Sequence, residues 1–176
     1  LPEILKRLSS RFHLLQRKGT DSPGRHRSLE ATLEWSWSLL KPWEQSALAQ
    51  LSVFSGGFTL EHAEQVVDLR AHADAPWVVF VVESLMDRSL VYAQTTSDPS
   101  GQIRFGMTES VLEFSRAKLG DDEAGAGRRH GECFARYGTI EYIESLRRKG
   151  GDKRRLALEA DIANLTTAAE RAIQQE

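Results

Sequence analysis

The sequence predicts a mainly α-helical fold with one small β-hairpin, and three observations lead to this prediction. Apolar residues recur at three- and four-residue spacing over most of the chain, which is the pattern of helices with one buried face. Prolines and small hydroxyl residues stand at points where such helices would begin. Only residues 90–107 hold two short strand-like runs on either side of a turn sequence.

The first part of the chain is predicted to contain two helices joined by a linker. Residues 1–16 carry apolar side chains along one helical face, and the stretch 18–27 that follows is rich in Gly, Pro and charge. Ser28 is a suitable N-cap for a helix over 28–40, which is apolar on two opposite sides. We therefore expect residues 1–27 to end a preceding region and the helix over 28–40 to lie between two layers.

Three further helices are predicted before the hairpin. Pro42 suits the first position of a helix that continues over 43–51 and ends before two glycines that allow the backbone to turn. Thr59 is a suitable N-cap for the next helix, over 59–69. The stretch 77–89 contains a run of valines typical of a strand, but its charged residues recur at helical spacing, so a helix is predicted there.

The hairpin and the helix after it complete the pattern of a winged helix-turn-helix. Strands are predicted at 90–95 and 102–107, and a helix at 108–119. A winged-helix domain is therefore predicted over 28–119, with the hairpin as its wing. Its three core helices would be 28–40, then 43–51 with 59–69, and then 77–89.

The last third of the chain is predicted to form a helical hairpin. The acidic, Gly- and Ala-rich stretch 120–127 indicates a boundary, and two long helices over 128–146 and 156–175 follow it. Such a pair, over 120–176, resembles the first unit of a TPR-like helical repeat. The chain begins with Leu and its last helix has no cap, so we expect it to be a segment of a longer protein.

Composition and charge exclude several classes of protein. The 176 residues include 40% hydrophobic and 27% charged side chains, which is typical of a soluble globular chain, and the longest apolar run is too short to cross a membrane. A single cysteine, Cys133, excludes an internal disulfide framework and suits the reducing cytoplasm. Residues 31–126 hold six basic and fourteen acidic side chains, a balance of −8, which would repel nucleic-acid phosphates.

Candidate DNA-binding and catalytic residues are few. Winged helices commonly place the helix before the wing in the major groove, and here that helix carries Arg88 against two acids. The wing adds only Arg104, so no DNA-binding residue is predicted. His130 and Cys133 lie one helical turn apart, but a metal site needs more ligands and no catalytic set is present, so we expect them to pack.

Several strings in the chain resemble one family. RHRSLEATLEWSWSLL at 25–40, LSVFSGGFT at 51–59 and SLMDRSLV at 84–91 resemble the winged-helix region of bacterial STAND-type (NB-ARC-like) signalling ATPases. These are large predicted ATPases and transcriptional regulators of the LuxR and SARP kinds. The stretch LEADIANLTTAAERA at 158–172 resembles, more loosely, the first repeat helices of the same family.

The resemblance implies a regulatory module with no chemistry of its own. In such proteins a nucleotide-binding domain with ADP or ATP and Mg²⁺ precedes the winged helix, and a helical-repeat sensor follows it. This chain has no G-x-x-x-x-G-K-[ST] loop, so it is predicted not to be an enzyme and to hold no cofactor. We expect a cytoplasmic interaction module in transcriptional regulation, which contacts the nucleotide-binding domain and, through the repeats, a protein partner. The alternative is a DNA-binding winged-helix transcription factor domain.

The resemblance also suggests candidate site residues. Related proteins carry a Met-His-Asp motif at the end of the wing, and the matching residues here are Met107, Thr108 and Glu109, which would sense the nucleotide in the intact protein. A threonine offers only a hydroxyl where the histidine would be, and the simpler interpretation is that Thr108 is an N-cap. Trp35 is the candidate contact with the nucleotide-binding domain, and its helix would favour self-association if exposed.

Overall fold

The computed structural model describes residues 23–94 and 103–174, which belong to two compact units that meet in sequence between Ser36 and Trp37. Helix α1 (Pro23–Ser38) supplies the described residues of the first unit and ends in the second. The predicted N-cap at Ser28 is wrong, because the helix already begins at Pro23, a residue whose fixed φ suits a first helical position. The helix predicted over 1–16 lies outside the described residues.

The second unit contains a winged helix, and its mainly helical fold with a small hairpin is confirmed. The three strands form one antiparallel sheet in the order β1–β3–β2, in which Phe105 of β3 lies between Phe58 and Ala93. The elements are, in chain order, α2 (Pro42–Leu51), β1 (Phe58–Thr59), α3 (Leu60–Val66), α4 (Val78–Asp87), β2 (Tyr92–Gln94), β3 (Arg104–Gly106) and α5 (Glu109–Ala117).

Two features of the winged helix differ from the prediction. Strand β1 was not predicted, because two residues are too few to show the alternation of a strand. The helices that pack together beside the sheet are α2, α3 and α4, so α2, and not the predicted helix over 28–40, is the first core helix. The predicted turn of the hairpin, between β2 and β3, lies outside the described residues.

The core of the second unit lies between these helices and the sheet. Phe54 and Phe58 stack with ring centroids 5.0 Å apart, just after α2 and in β1. Helix α4 presents one buried face to this core, which confirms that its run of valines is helical. The buried residues of that face are Val81, Val82 and Leu85.

The turn between α2 and β1 requires glycine at position 57. Gly57 has φ +92°, and a Cβ there would lie 2.6 Å from the carbonyl oxygen of Phe105. A side chain would therefore be strained both by the backbone angle and by the close approach of β3. Thr59 then caps α3 as predicted: its hydroxyl accepts from the N–H of His62 at 3.2 Å, and the ring of His62 accepts from the N–H of Thr59 at 3.4 Å.

The C-terminal part forms four helices where two long ones were predicted. They are α6 (Glu123–Ala135), α7 (Ile140–Ser145), α8 (Gly151–Ala160) and α9 (Ile162–Gln174), with 3₁₀ turns at Gly120–Asp122 and Arg136–Gly138. The first predicted helix breaks where Thr139 caps α7, accepting from the N–H of Tyr142 at 3.3 Å. The second breaks at Asp161, whose buried side chain bonds to other elements.

The stretch 120–127 is part of the packed structure and not an open linker. Helix α6 begins within it, buries Ala126 and Gly127, and packs against α3 and α9. Residues 37–176 accordingly form one compact unit. The division at residue 120 into a winged-helix domain and a repeat region stays a prediction. In the part of the chain that the structure describes, no helix is both long enough and apolar enough to span a membrane.

Candidate functional site

A row of polar side chains, on α9 and on the residue directly before it, joins the helical hairpin to the winged helix. We call this row the polar seam; it consists of Asp161, Asn164, Thr167 and Arg171. Their spacing of three or four residues places them on one helical face. Each bonds to the turn after α2 or to β3, so the seam connects elements more than 50 residues apart in sequence.

The central contacts of the seam are made to backbone groups. The side chain of Asn164 donates to the carbonyl of Gly57 at 2.9 Å and accepts from the N–H of Ser55 at 2.7 Å. The hydroxyl of Thr167 donates to Oγ of Ser55 at 2.9 Å, and Arg171 donates to the carbonyl of Val53 at 3.1 Å. The turn of the LSVFSGGFT string is therefore held by α9.

Asp161 is the charged end of the seam and brings three elements together. Its side chain is 1% exposed and accepts from Arg104 of β3 at 2.9 Å and from the hydroxyl of Tyr137 at 2.9 Å. Arg104, which is 3% exposed, also donates to the carbonyl of Gly57 at 3.2 Å. Removing two charges from water costs free energy, and further hydrogen bonds such as these help the ion pair to offset that cost. The one cation that the wing was expected to offer to DNA is thus enclosed.

Two buried histidines lie beside the seam, and burial lowers the pKa of both. Nε2 of His130 lies 3.4 Å from Oδ1 of Asn164, and burial lowers the pKa of His130 to about 4. Nε2 of His62 lies 3.8 Å from Oδ2 of Asp161; burial lowers the pKa of His62, although the Asp161 carboxylate opposes the shift. Protonating either ring would place a charge in a nearly water-free interior.

The pairing of His130 with Cys133 is a packing arrangement, as expected. Both side chains are buried, and burial raises the pKa of the Cys133 thiol to about 11. A thiol that stays protonated at neutral pH is a poor nucleophile. Within residues 23–94 and 103–174, no group of three or more His, Cys, Asp or Glu side chains is placed to hold a metal ion.

The structure gives Thr108 a local role. Its hydroxyl accepts from the N–H of Val111 at 3.5 Å and so caps α5, while Glu109 lies exposed in the first turn and Met107 is half-buried. Nucleotide sensing by these residues stays a prediction. Trp35 lies on α1 in the first unit and is 65% exposed, and its contact with a nucleotide-binding domain likewise stays a prediction.

The outward side of α4 exposes two aromatic side chains. We call it the outer face of α4; it consists of Trp77, which precedes the helix, Phe80, Glu83 and Asp87. Trp77 is 80% exposed and Phe80 is 55% exposed, and the two carboxylates beside them are exposed as well. In a winged helix this is the surface that would enter the major groove. It combines aromatic rings with negative charge.

The nearest basic residue does not compensate that charge. Arg88 follows α4, and its guanidinium lies 4.0 Å from the buried carboxylate of Glu44 on α2. Glu44 also accepts from the hydroxyl of Ser84 at 2.6 Å and from the N–H of Lys41 at 2.7 Å. Burial tends to raise the pKa of Glu44, but these hydrogen bonds lower it overall, so the group stays ionised and attracts the partly exposed Arg88.

The sequence is similar to part of several mycobacterial proteins. It is 33% identical over 133 residues to proteins of Mycobacterium tuberculosis and Mycobacterium bovis whose names assign them to the HTH-type transcriptional regulators; the match covers 75% of this chain and 15% of theirs. It is 28% identical over 119 residues to proteins of the same species whose names assign no function, covering 68% of this chain and 30% of theirs. No protein-family model and no solved structure matches.

Proposed function

We propose that this chain is a winged-helix regulatory module of a bacterial transcriptional regulator, and that it acts by docking on protein. The single observation that carries the proposal is the outer face of α4, where two exposed aromatic rings stand beside two carboxylates. Exposed aromatic residues on a polar surface are typical of protein interfaces. The names of the relatives support the regulatory role and a regulator rather than an enzyme.

The charges of the winged helix argue against DNA as the ligand of this face. A groove-reading helix needs cations and hydrogen-bond donors toward phosphates and bases. Here Glu83 and Asp87 would approach the phosphates, while Arg104 is enclosed with a carboxylate of the protein itself, which leaves Arg88 as the exposed cation beside them. Residues 31–126 carry a balance of −8, which adds a long-range repulsion.

The more specific part of the proposal is that the parent protein is a STAND-type signalling ATPase. It rests on the resemblance of the winged-helix strings and on the size of the relatives, since the matching stretch is only 15% of each. Under this hypothesis the chain lies in the cytoplasm, between a nucleotide-binding domain and a protein-binding repeat region. Met107, Thr108 and Glu109 supply little to a phosphate by themselves, because Thr108 offers only its hydroxyl hydrogen while its oxygen caps α5, and Glu109 is an anion. No nucleotide chemistry is therefore assigned to this chain.

DNA binding is the second candidate, and the relatives' names favour it directly. They describe HTH-type regulators, and a winged helix is a helix-turn-helix fold. The names nevertheless refer to whole proteins, of which the matching stretch is a small part. The two candidates differ in what the outer face of α4 contacts, and this difference can be measured.

The first test measures DNA binding by fluorescence anisotropy with random and genomic 20–30-bp duplexes at two salt concentrations. We expect no saturable binding by the wild-type chain up to about 10 µM at physiological salt. The variant with Glu83→Lys and Asp87→Lys should gain salt-dependent binding, and more of it than the matched variant with Glu159→Lys and Glu170→Lys. Wild-type binding below about 1 µM that falls steeply with salt would favour the second candidate.

The second test measures regulation in the full-length protein. Phe80→Ser should change the set of transcripts that the regulator controls, because it removes an anchor of the docking face. Ile173→Ser, which changes an even more exposed apolar side chain on α9, is the control and should leave those transcripts unchanged. Equal effects of both variants, or none from Phe80→Ser, would contradict docking through α4.

A further inference from the structure

We propose that the polar seam is a latch, which holds α9 on the winged helix and releases it while the helical core stays folded. The latch would connect the helical hairpin to the wing, because the same side chains hold the turn after α2 and strand β3. The inference concerns how parts of the chain move together. It is independent of what the outer face of α4 binds.

The seam is made of polar contacts, and polar contacts can be exchanged for water at little net cost. Asn164 and Thr167 bond to groups that water would satisfy equally if α9 moved away. Separation of Arg104 from Asp161 by movement of α9 would hydrate both charges, so neither would remain buried and unpaired. Release of the whole seam is therefore far easier than removal of one partner in place.

The neighbouring side of α9 contributes little apolar burial to its attachment. A groove of about 530 Å³ runs between α6 and α9, lined mostly by small residues that include Gly127, Gly131, Ala168 and Ala172. Among the described residues of α9, Asn164 is the one that is fully buried, so burial of apolar side chains on α9 adds little to the attachment that the polar seam provides.

Unsatisfied polar atoms in the same part of the second unit further weaken the closed arrangement. Nδ1 of His130, whose ring lies beside Asn164, and Nη1 of Arg171 are buried and make no hydrogen bond to any described residue. Each such atom destabilises the closed state relative to one in which water reaches it. Gln50 and Phe54, by contrast, have partners outside α9: Gln50 donates to the carbonyl of Asp68, and Phe54 stacks on Phe58.

Release of α9 would remove contacts that hold strand β3 of the wing. Arg104 lies in β3, between β1 and β2, and in the closed state its guanidinium is fixed by Asp161. Once Asp161 moves, β3 loses its only described ion pair and the carbonyl of Gly57 loses the Asn164 amide. A partner that pulls α9 away would thus loosen the wing without touching it.

Hydrogen exchange with mass spectrometry tests the latch on the whole chain. Asp161→Asn should speed exchange at least tenfold in residues 52–59, 104–106 and 162–174, and less than twofold in α2 and α4. Glu159→Gln, two residues away and exposed, is the matched control and should change nothing. Equal acceleration in α2 and α4 would show global unfolding instead of release, and unchanged exchange at 104–106 would show that the wing is uncoupled; either result overturns the proposal.

A reversible crosslink gives the opposite perturbation. The hydroxyl oxygens of Ser55 and Thr167 are 2.9 Å apart, so Ser55→Cys with Thr167→Cys places two thiols within reach of a disulfide. In the oxidised form, exchange at 104–106 should slow at least threefold and return to the wild-type rate on reduction. Identical exchange in both forms would mean that α9 does not open, and the latch would be rejected.

Discussion

Acidification is expected to destabilise this protein through His130. The ring is fully buried, its Nε2 faces Oδ1 of Asn164, and its Nδ1 has no hydrogen-bond partner among the described residues. A second proton would therefore sit on a buried N–H with no acceptor. Burial is the main reason that the pKa of His130 falls to about 4, and the Asn164 contact opposes this only in part.

The size of the effect follows from the two pKa values. In the unfolded chain the imidazole titrates near its ordinary value of 6.5, while in the fold it titrates near 4. Between these values the unfolded chain binds more protons, so the free energy of unfolding falls as the pH falls. The difference amounts to about 3 kcal/mol once the pH reaches 4, and it is absent above pH 7. His62, whose pKa burial also lowers, acts in the same direction.

Urea unfolding followed by tryptophan fluorescence at pH values from 7.5 to 4.5 measures this dependence. The variant His130→Gln removes the titrating ring, so its stability should fall less between pH 6.5 and 4.5 than that of the wild type. His72→Gln, in the loop before α4, is the matched control and should follow the wild type. If His130→Gln shows the same pH dependence as the wild type, the buried neutral ring is not the acid-sensitive group.

Three further substitutions test the packing. Asn164→Ala leaves the N–H of Ser55 and the carbonyl of Gly57 without their side-chain partner, and should lower the free energy of unfolding by about 2–4 kcal/mol, against less than about 0.5 kcal/mol for the exposed Thr166→Ala. Gly57→Ala should cost about 1–3 kcal/mol because of its positive φ, while Gly138→Ala, which meets no neighbour, should be nearly neutral. Leu85→Ala opens a cavity in the core and should cost about 2–5 kcal/mol. Denaturant melts measure all three.

The helices of the winged helix could be predicted because their signals are local. Thr59 and its partner three residues later cap α3 within a single turn, and the buried face of α4 repeats at helical spacing. Strand β1 could not be predicted in this way. Its two residues become a strand only because β3, far along the chain, pairs with them. Ser28 shows the opposite error: a good capping residue lies inside a helix that Pro23 begins earlier.

The candidate site depended on long-range contacts that no local pattern reports. Arg104 was counted as the cation of the wing, but a carboxylate 57 positions further along the chain encloses it. Asp161 interrupts a stretch with good helical spacing, because its side chain bonds to β3 and Tyr137. One signal was nevertheless present: Asp161, Asn164, Thr167 and Arg171 form a polar row on a helix whose other residues are largely small or apolar.

The polar seam has a consequence for protein engineering. Apolar contacts between helices are not directional, so many different apolar side chains can form them. The hydrogen bonds of Arg104 with Asp161 and with the carbonyl of Gly57 require particular groups at particular positions. If the helical hairpin were replaced by that of a homologue without Asp161, the guanidinium of Arg104 would be buried without its carboxylate partner. Replacing β3 alone would leave the carboxylate of Asp161 unpaired in the same way. Chimeras of this fold should therefore exchange strand β3 and helix α9 together, as one cassette.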